Sequence, residues 1–485
     1  MRKFLPLLAA IMGGFSVLVP FLAGPVPAEA QQTNGQGDLY YGFTLIDPET
    51  RTILPDAHVL VAEGKIVSIG SGMPEAGADV TRHDMGGLFM LPGFVDAHAH
   101  ITAGVHKVEV IDGAPTITIE SDPAVTNFAA PVALAFGVTS VRNPAGVTAT
   151  NAQYDADVAA DRLLGPEAVH AGAVIQPPPF GGNAFAYPTT EEEWNAEAAE
   201  QAAAGMRYFK LYESLTADEV ATGVRVAKAH GLTPIGHFST LPWLTAIRLG
   251  VEELEHTLMV SDTLLEPDAR AAFLAEKDMT SRFIYRWFEL ADFDGPLIRE
   301  LVRELAERGT RVTLTLWVNE LTFNADQIDA IWPAAWQAYE YPATLAALKQ
   351  FMAMSVMGWT ADDFARARAV MPRVLAFAKL LHDSGVPMML GTDGRGGTPI
   401  LAHEMALHVA AGIPVWDVLA MATSRGADLA GFGERTGHLR PGFEADLVFL
   451  SANPLDDVLN AAKVEAVISN GVFHRARDIL AKVMP

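Results

Sequence analysis

Cysteine is absent from the 485 residues. That excludes disulfide staples, thiolate metal sites, cysteine nucleophiles and lipid attachment through an N-terminal cysteine. Any metal must sit on imidazole, carboxylate or lysine-derived ligands. Basic residues are scarce too: 34 Lys and Arg stand against 58 Asp and Glu, a formal charge of -24. Such a chain repels a phosphate backbone, so nucleic acid is excluded as a partner. Charged residues make up 19% and hydrophobic ones 50%, which rules out a disordered or fibrous protein, and the length allows about three folding units. Beyond the N-terminus no run is long and apolar enough to span a bilayer as a helix.

The first thirty residues are of a different kind. Arg2 and Lys3 precede an apolar run that ends in Pro25-Val26-Pro27-Ala28-Glu29-Ala30. Small residues flanking a plausible cleavage point read as a secretory signal over 1–30, with an uncleaved anchor as the alternative. The expected product is exported, periplasmic or secreted, without stable membrane insertion once the signal is removed, and a homo-oligomer is left open.

From Leu39 onward short alternating apolar stretches and turn residues predict antiparallel strands, and a similar texture returns at 445–450 and 464–472, with Asn470-Gly471 as a turn. Two distant β segments, 38–90 and 433–485, can therefore form one small β-sandwich. Between them, over 91–432, apolar runs alternate with Ala-rich helical stretches, the pattern of βα units. Eight strand candidates are expected, at 88–95, 137–142, 168–175, 206–212, 233–238, 252–258, 311–318 and 386–392. The predicted fold class is α/β, a (β/α)8 TIM barrel carrying the β-sandwich.

The run 88–95 ends in Asp96-Ala97-His98-Ala99-His100, and a strand's period of two puts both imidazoles on one face, an arrangement suited to a divalent metal. In Tyr208-Phe209-Lys210-Leu211-Tyr212 the same period gathers Tyr208, Lys210 and Tyr212. Lys210 either snorkels into solvent, or is held neutral by burial and takes up CO2 as a metal-bridging carbamate. His237 and His256 each close a short strand. Asp393 closes another, where it either caps the next helix or serves as a ligand. His98, His100, Lys210, His237, His256 and Asp393 thus fall at the C-terminal ends of five candidate strands, the rim on which barrel enzymes place their sites. His58, His83, His170, His230, His382, His408, His438 and His474 read as ordinary surface or satisfied core residues.

These residues, with Leu91-Pro92-Gly93-Phe94-Val95-Asp96, Gly137-Val138-Thr139-Ser140-Val141-Arg142, Gly236-His237, Glu255-His256, Gly391-Thr392-Asp393 and the C-terminal Pro441-Gly442-Phe443-Glu444-Ala445-Asp446-Leu447-Val448, carry a resemblance over nearly all of the mature chain. The sequence resembles the amidohydrolase superfamily, in the branch of imidazolonepropionase-like proteins and binuclear prolidase-like dipeptidases. The resemblance implies that His98, His100 and Asp393 bind one metal ion and His237 and His256 a second, with carboxylated Lys210 bridging them. Zinc is the usual occupant. A hydroxide shared by the pair would attack the scissile carbonyl, and Asp393 would take its proton and pass it to the leaving amine. Amide or peptide bonds in small substrates, such as Xaa-Pro dipeptides or N-acyl amino acids, are the first expectation. Lactones, carbamates or phosphotriesters on the same metal pair are the second, and a non-catalytic metal- or ligand-binding protein is the reading from another class.

Some positions depart from the family pattern. Pro177-Pro178-Pro179-Phe180-Gly181-Gly182-Asn183 stands where dipeptidase-like relatives often carry Gly-Gly-His-Gly, so substrate choice does not carry over. Arg395 follows Asp393, where it clamps a substrate carboxylate or pairs with an acid. Tyr212 donates to a developing oxyanion or simply packs. The aromatic segment 317–359 forms either its own core or a cover over the rim.

Overall fold

The computed structural model describes residues 37–484, apart from 76, 78, 112–113, 179, 239–240, 258–260, 277–281 and 397 and the side chains over 108–116. The expected signal segment lies outside the described residues. None of the described helices is long and apolar enough to cross a membrane.

The two ends of the chain meet in one mixed sheet of eight strands. Its order runs Val472–Arg475, Val464–Ser469, Leu447–Leu450, Phe89–Pro92, Gly37–Asp47, Thr52–Ala62, Lys65–Ser71, with Val80–Asp84 also on Gly37–Asp47. Alternation makes one face of it apolar, where Tyr40, Phe43, Val59, Val61, Met90, Leu447, Phe449 and Ile468 pack together. Two of its hairpins turn through Glu63-Gly64 and Asn470-Gly471. Each turn has both residues at positive φ (52° and 76°, 50° and 81°), the geometry that matches strand twist.

Apart from an antiparallel hairpin of Ala103–Ile111 and Ala114–Ser121, most of the remaining strands are parallel and largely buried. In chain order they are β1 (Phe94–Asp96), β2 (Val138–Asn143), β3 (Glu167–His170, continuing at Val174–Ile175), β4 (Tyr208–Leu211), β5 (Thr233–Gly236), β6 (Glu253–Glu255), β7 (Arg311–Thr313) and β8 (Met388–Met389). One sheet runs β3, β2, β1, and another runs from Val174–Ile175 through β4, β5, β6 and β7 to β8. Backbone bonds join the two sheets on both sides. Arg207 N donates to His170 O at 2.8 Å, while Ala97 N donates to Leu390 O and Asp393 N to His98 O, both at 2.8 Å.

Two expectations need correction. The run 88–95 is not one strand. Phe89–Pro92 pairs antiparallel with Leu447–Leu450 in the mixed sheet, whereas β1 pairs parallel with β2. The chain changes sheets at Gly93, where a Cβ would come within 2.2 Å of Thr139 Oγ1, so only glycine fits. The run 311–318 also stops early: β7 ends at Thr313, Thr315 takes φ 48°, and a helix begins at Leu316. Its apolar residues stay buried after the strand has ended, which a hydropathy pattern cannot distinguish from strand.

The aromatics of 317–359 join the large core of the chain rather than forming a separate one. Trp317 meets Trp332 edge-on at 5.9 Å, and both are buried. The rim side of the segment reaches the rest of the chain through Tyr341 on Phe128 (5.8 Å) and Phe351 on His106 (6.4 Å).

Candidate metal centre

All six expected site residues lie at or just beyond the ends of β1, β4, β5, β6 and β8, and the structure brings them together. The four imidazoles follow one another ring to ring. His100 to His98 is 5.3 Å between centroids, His98 to His256 is 4.6 Å and His256 to His237 is 4.5 Å. Asp393 Oδ1 stands 3.0 Å from His100 Nε2 and 3.3 Å from His98 Nε2, and one ligand atom from each of the three lies within 4.8 Å of the others. Gly391 makes this approach feasible, because a Cβ there would sit 2.4 Å from His98 Cβ.

Lys210 points inward. Its side chain is 3% exposed and Nζ lies 3.5 Å from Glu255 Oε1, but Nζ has no hydrogen-bond partner. Burial lowers its pKa, favouring the neutral amine. Tyr208 and Tyr212 share its face. Tyr208 lies under Arg142, at 5.4 Å, and Tyr212 packs edge-on against His237 at 4.6 Å.

The donor set fits a metal. Among the described residues, both ring nitrogens of His237 and Lys210 Nζ are buried without hydrogen-bond partners, an unusual cost unless something else binds them, and His98 Nε2 has only the 3.3 Å approach of Asp393. Burial, with the neighbouring His256 and Lys210, pushes His237 well below its ordinary pKa, and burial pushes His256 down to about 3. Both rings therefore offer lone pairs at neutral pH. Burial works against the Asp393 carboxylate, but the rings of His256, His100 and His98 hold its pKa well below the usual range.

A ring of supporting residues went unassigned from the sequence. Glu255 Oε2 meets His98 Nδ1 at 2.6 Å, and Arg142 donates to both of its oxygens at 3.0 and 3.1 Å. Arg142 also pairs with Glu253 at 2.7 Å. Asp96 accepts from His98 N, Thr392 N and Thr392 Oγ1, tying the end of β1 to the end of β8. The signal was there: the period of two that pairs His98 with His100 also includes Asp96, and it aligns Glu253 with Glu255. Thr315 and Glu404, which touch or brace His256, had no comparable signal. His106, beside Phe351, and His403, 2.5 Å from Glu320, were also unassigned.

Among the described residues Arg395 forms no ion pair, although the charges of Glu340 and Asp393 act on it. Nη2 donates to Gly104 O at 2.7 Å, and Nε is buried without a partner. The histidines read as ordinary are largely so: His58 meets Gly72 O, His83 meets Asp38, His170 meets Asn143 and Asp155, and His438 meets Glu49 and Asp428.

An α/β scaffold with imidazoles and a carboxylate at its strand ends has the makings of a metal-assisted hydrolase, and the comparisons agree. Residues 293–473 match the Amidohydrolase family. The chain is similar to imidazolonepropionase of Mycolicibacterium smegmatis, 27% identical over 276 residues, 51% of this chain and 69% of that one. It is similar to ochratoxinase of Aspergillus niger, 29% identical over 119 residues, 24% of this chain and 25% of that one. In fold it resembles a Xaa-Pro dipeptidase with bound methionine, with TM-score 0.65 and 18% identity over 91% of this chain and 100% of that one. The A. niger ochratoxinase structure gives TM-score 0.63 and 19% identity over 91% of this chain and 96% of that one. The Amidohydrolase family match covers residues 293–473, and the fold likeness extends over most of the rest of the chain.

Proposed function

We propose that this chain is an exported, binuclear metal-dependent amidohydrolase that cleaves amide or peptide bonds of small substrates, Xaa-Pro dipeptides or N-acyl amino acids. One observation carries most of the weight: four imidazoles, the Lys210 amine and the Asp393 carboxylate converge, with several of their buried donor atoms unpartnered. The strand order and the bonds at both sheet junctions support reading β1 to β8 as a closed (β/α)8 barrel over 91–432. The mixed sheet, drawn from 38–90 and 433–485, is the accessory β-sandwich of this reading.

His98, His100 and Asp393 would hold one divalent ion, and His237 and His256 the second, with zinc suited to the donors. Lys210 would serve both ions as a ligand in this assignment. Its neutral amine forms an N–C bond to CO2 and releases a proton to solvent, leaving a two-oxygen carbamate. When bound, the ions supply Lewis-acid polarisation of a carbonyl and a nucleophile at neutral pH. Asp393, kept ionised by its histidine neighbours, accepts the proton of the attacking water and delivers it to the leaving amine. Tyr212, fixed against His237, donates its hydroxyl to the substrate oxygen, and Arg395 keeps its free Nε for a substrate carboxylate.

Metal analysis of the purified protein, joined to a panel of dipeptides, N-acyl amino acids, lactones and phosphotriesters, tests the reading. Two equivalents of metal with turnover of amides support it. Metal-free active protein, or turnover confined to lactones or phosphotriesters, overturns it.

A further inference from the structure

We infer that Thr315 and Glu404 act as a positioning pair that fixes the tautomer and orientation of His256. The inference rests on His256 being a metal ligand, as proposed above, but its geometry stands independently. Thr315 Oγ1 lies 2.7 Å from His256 Nδ1 and donates to Leu314 O at 2.8 Å. A hydroxyl has one proton, and the carbonyl can only accept. With that proton on the carbonyl, Thr315 accepts from the ring, so neutral His256 carries its proton on Nδ1 and presents the lone pair of Nε2. A ligand histidine held through its other nitrogen has its reach and basicity set by that partner.

Thr315 does not sit there easily. It is β-branched and adopts φ 48°, a left-handed conformation that such residues avoid. Glu404 supplies the brace. Its Oε1 accepts from Leu316 N at 2.9 Å and its Oε2 from Trp317 N at 2.7 Å, the two amides that follow the strained residue. Glu404 is fully buried in the helix Thr398–Ala410, so the turn after β7 is pinned by an element that follows β8. Burial raises the Glu404 pKa to about 8, against the lowering effect of the two amides. Neither residue touches the Nε2 side of the ring, so their effect on a bound ion would pass through His256.

The test uses metal-free full-length protein labelled with 15N in histidine, with the His256 ring assigned by its loss in His256→Ala. Wild type should show the Nδ1–H tautomer. Thr315→Val, nearly isosteric but without the hydroxyl, should move the ring toward Nε2–H, and Thr315→Ser should restore it. Competition of Zn2+ against a chromophoric chelator should show one equivalent bound about 10- to 100-fold more weakly in Thr315→Val, with Thr315→Ser close to wild type. Glu404→Gln, which turns one acceptor into a donor, should shift both readouts the same way. An unchanged tautomer in Thr315→Val overturns the inference, and so does zinc affinity at the wild-type level in that variant. If wild type binds no zinc, the proposed metal centre fails, while the ring tautomer still decides the present point.

Discussion

His98 and Glu255 share a fully buried 2.6 Å contact between Nδ1 and Oε2. The carboxylate thereby directs the opposite ring nitrogen toward Asp393, and Arg142 holds the carboxylate in place from behind. Burial works against ionised Glu255, but Arg142, Lys210 and His98 hold its pKa well below the ordinary range. Glu255→Gln would put an amide donor against Arg142 or His98. We expect a loss of about 3–5 kcal/mol of folding stability, the usual cost of breaking a buried charged network, together with reduced metal content. Urea unfolding and metal analysis of the variant check this.

Lys210→Ala should lose metal and activity together, with partial rescue by short carboxylates that replace the carbamate oxygens. Metal content before and after addition of formate or acetate is the measurement. Wild-type metal content in the unrescued variant would show that Lys210 is no bridge.

Asp393→Asn keeps an oxygen donor but cannot take up a proton. Most of the metal should remain, while kcat falls by about 10²- to 10⁴-fold, the range set by a positioned acid–base group. Full turnover would place the proton transfer on another group.

Much of the rim was legible in the sequence because strand periodicity makes neighbours of residues two apart, and each ligand closes an apolar run. His98, His100 and Lys210 show this well. Thr315 and Glu404 were not legible, since their roles depend on a backbone reversal after β7 and on a helix 88 residues further along the chain. The break in 88–95 was hidden for a related reason. An apolar stretch buried in two sheets in succession has the same hydropathy as one buried in a single sheet, and Gly93 alone marks the change.

Gly93→Ala would drive a methyl group into Thr139, whose Oγ1 and Cγ2 would lie 2.2 and 2.5 Å from it. Overpacking of this kind costs about 1–3 kcal/mol. Combining it with Thr139→Ala, which removes both atoms, should recover part of the loss in thermal unfolding. No recovery would place the strain in the backbone.

Asp446 is buried in the mixed sheet, accepting from Thr436 Oγ1 and Asn470 N, and burial raises its pKa from 3.8 to about 6. A carboxyl raised in the folded state favours folding when protonated. Its contribution is complete below the unfolded value and lost as pH rises through the folded one. Each pH unit between those two values is worth about 1.4 kcal/mol, so relative to wild type Asp446→Asn should gain about 2 kcal/mol between pH 4 and pH 7. Urea unfolding at the two pH values checks the slope, and a pH-independent difference would contradict it.

The crossover at Gly93 leaves the accessory sheet and the histidine rim on one uninterrupted extended segment, with Phe89–Pro92 gripped by Leu447–Leu450 and His98 only a few residues on. Strands made much later in synthesis are thus the ones that clamp the first histidine pair from outside. A chain cut before Leu447 would lose its grip on the histidine rim along with its edge, so the site is completed only when that stretch is free to pair.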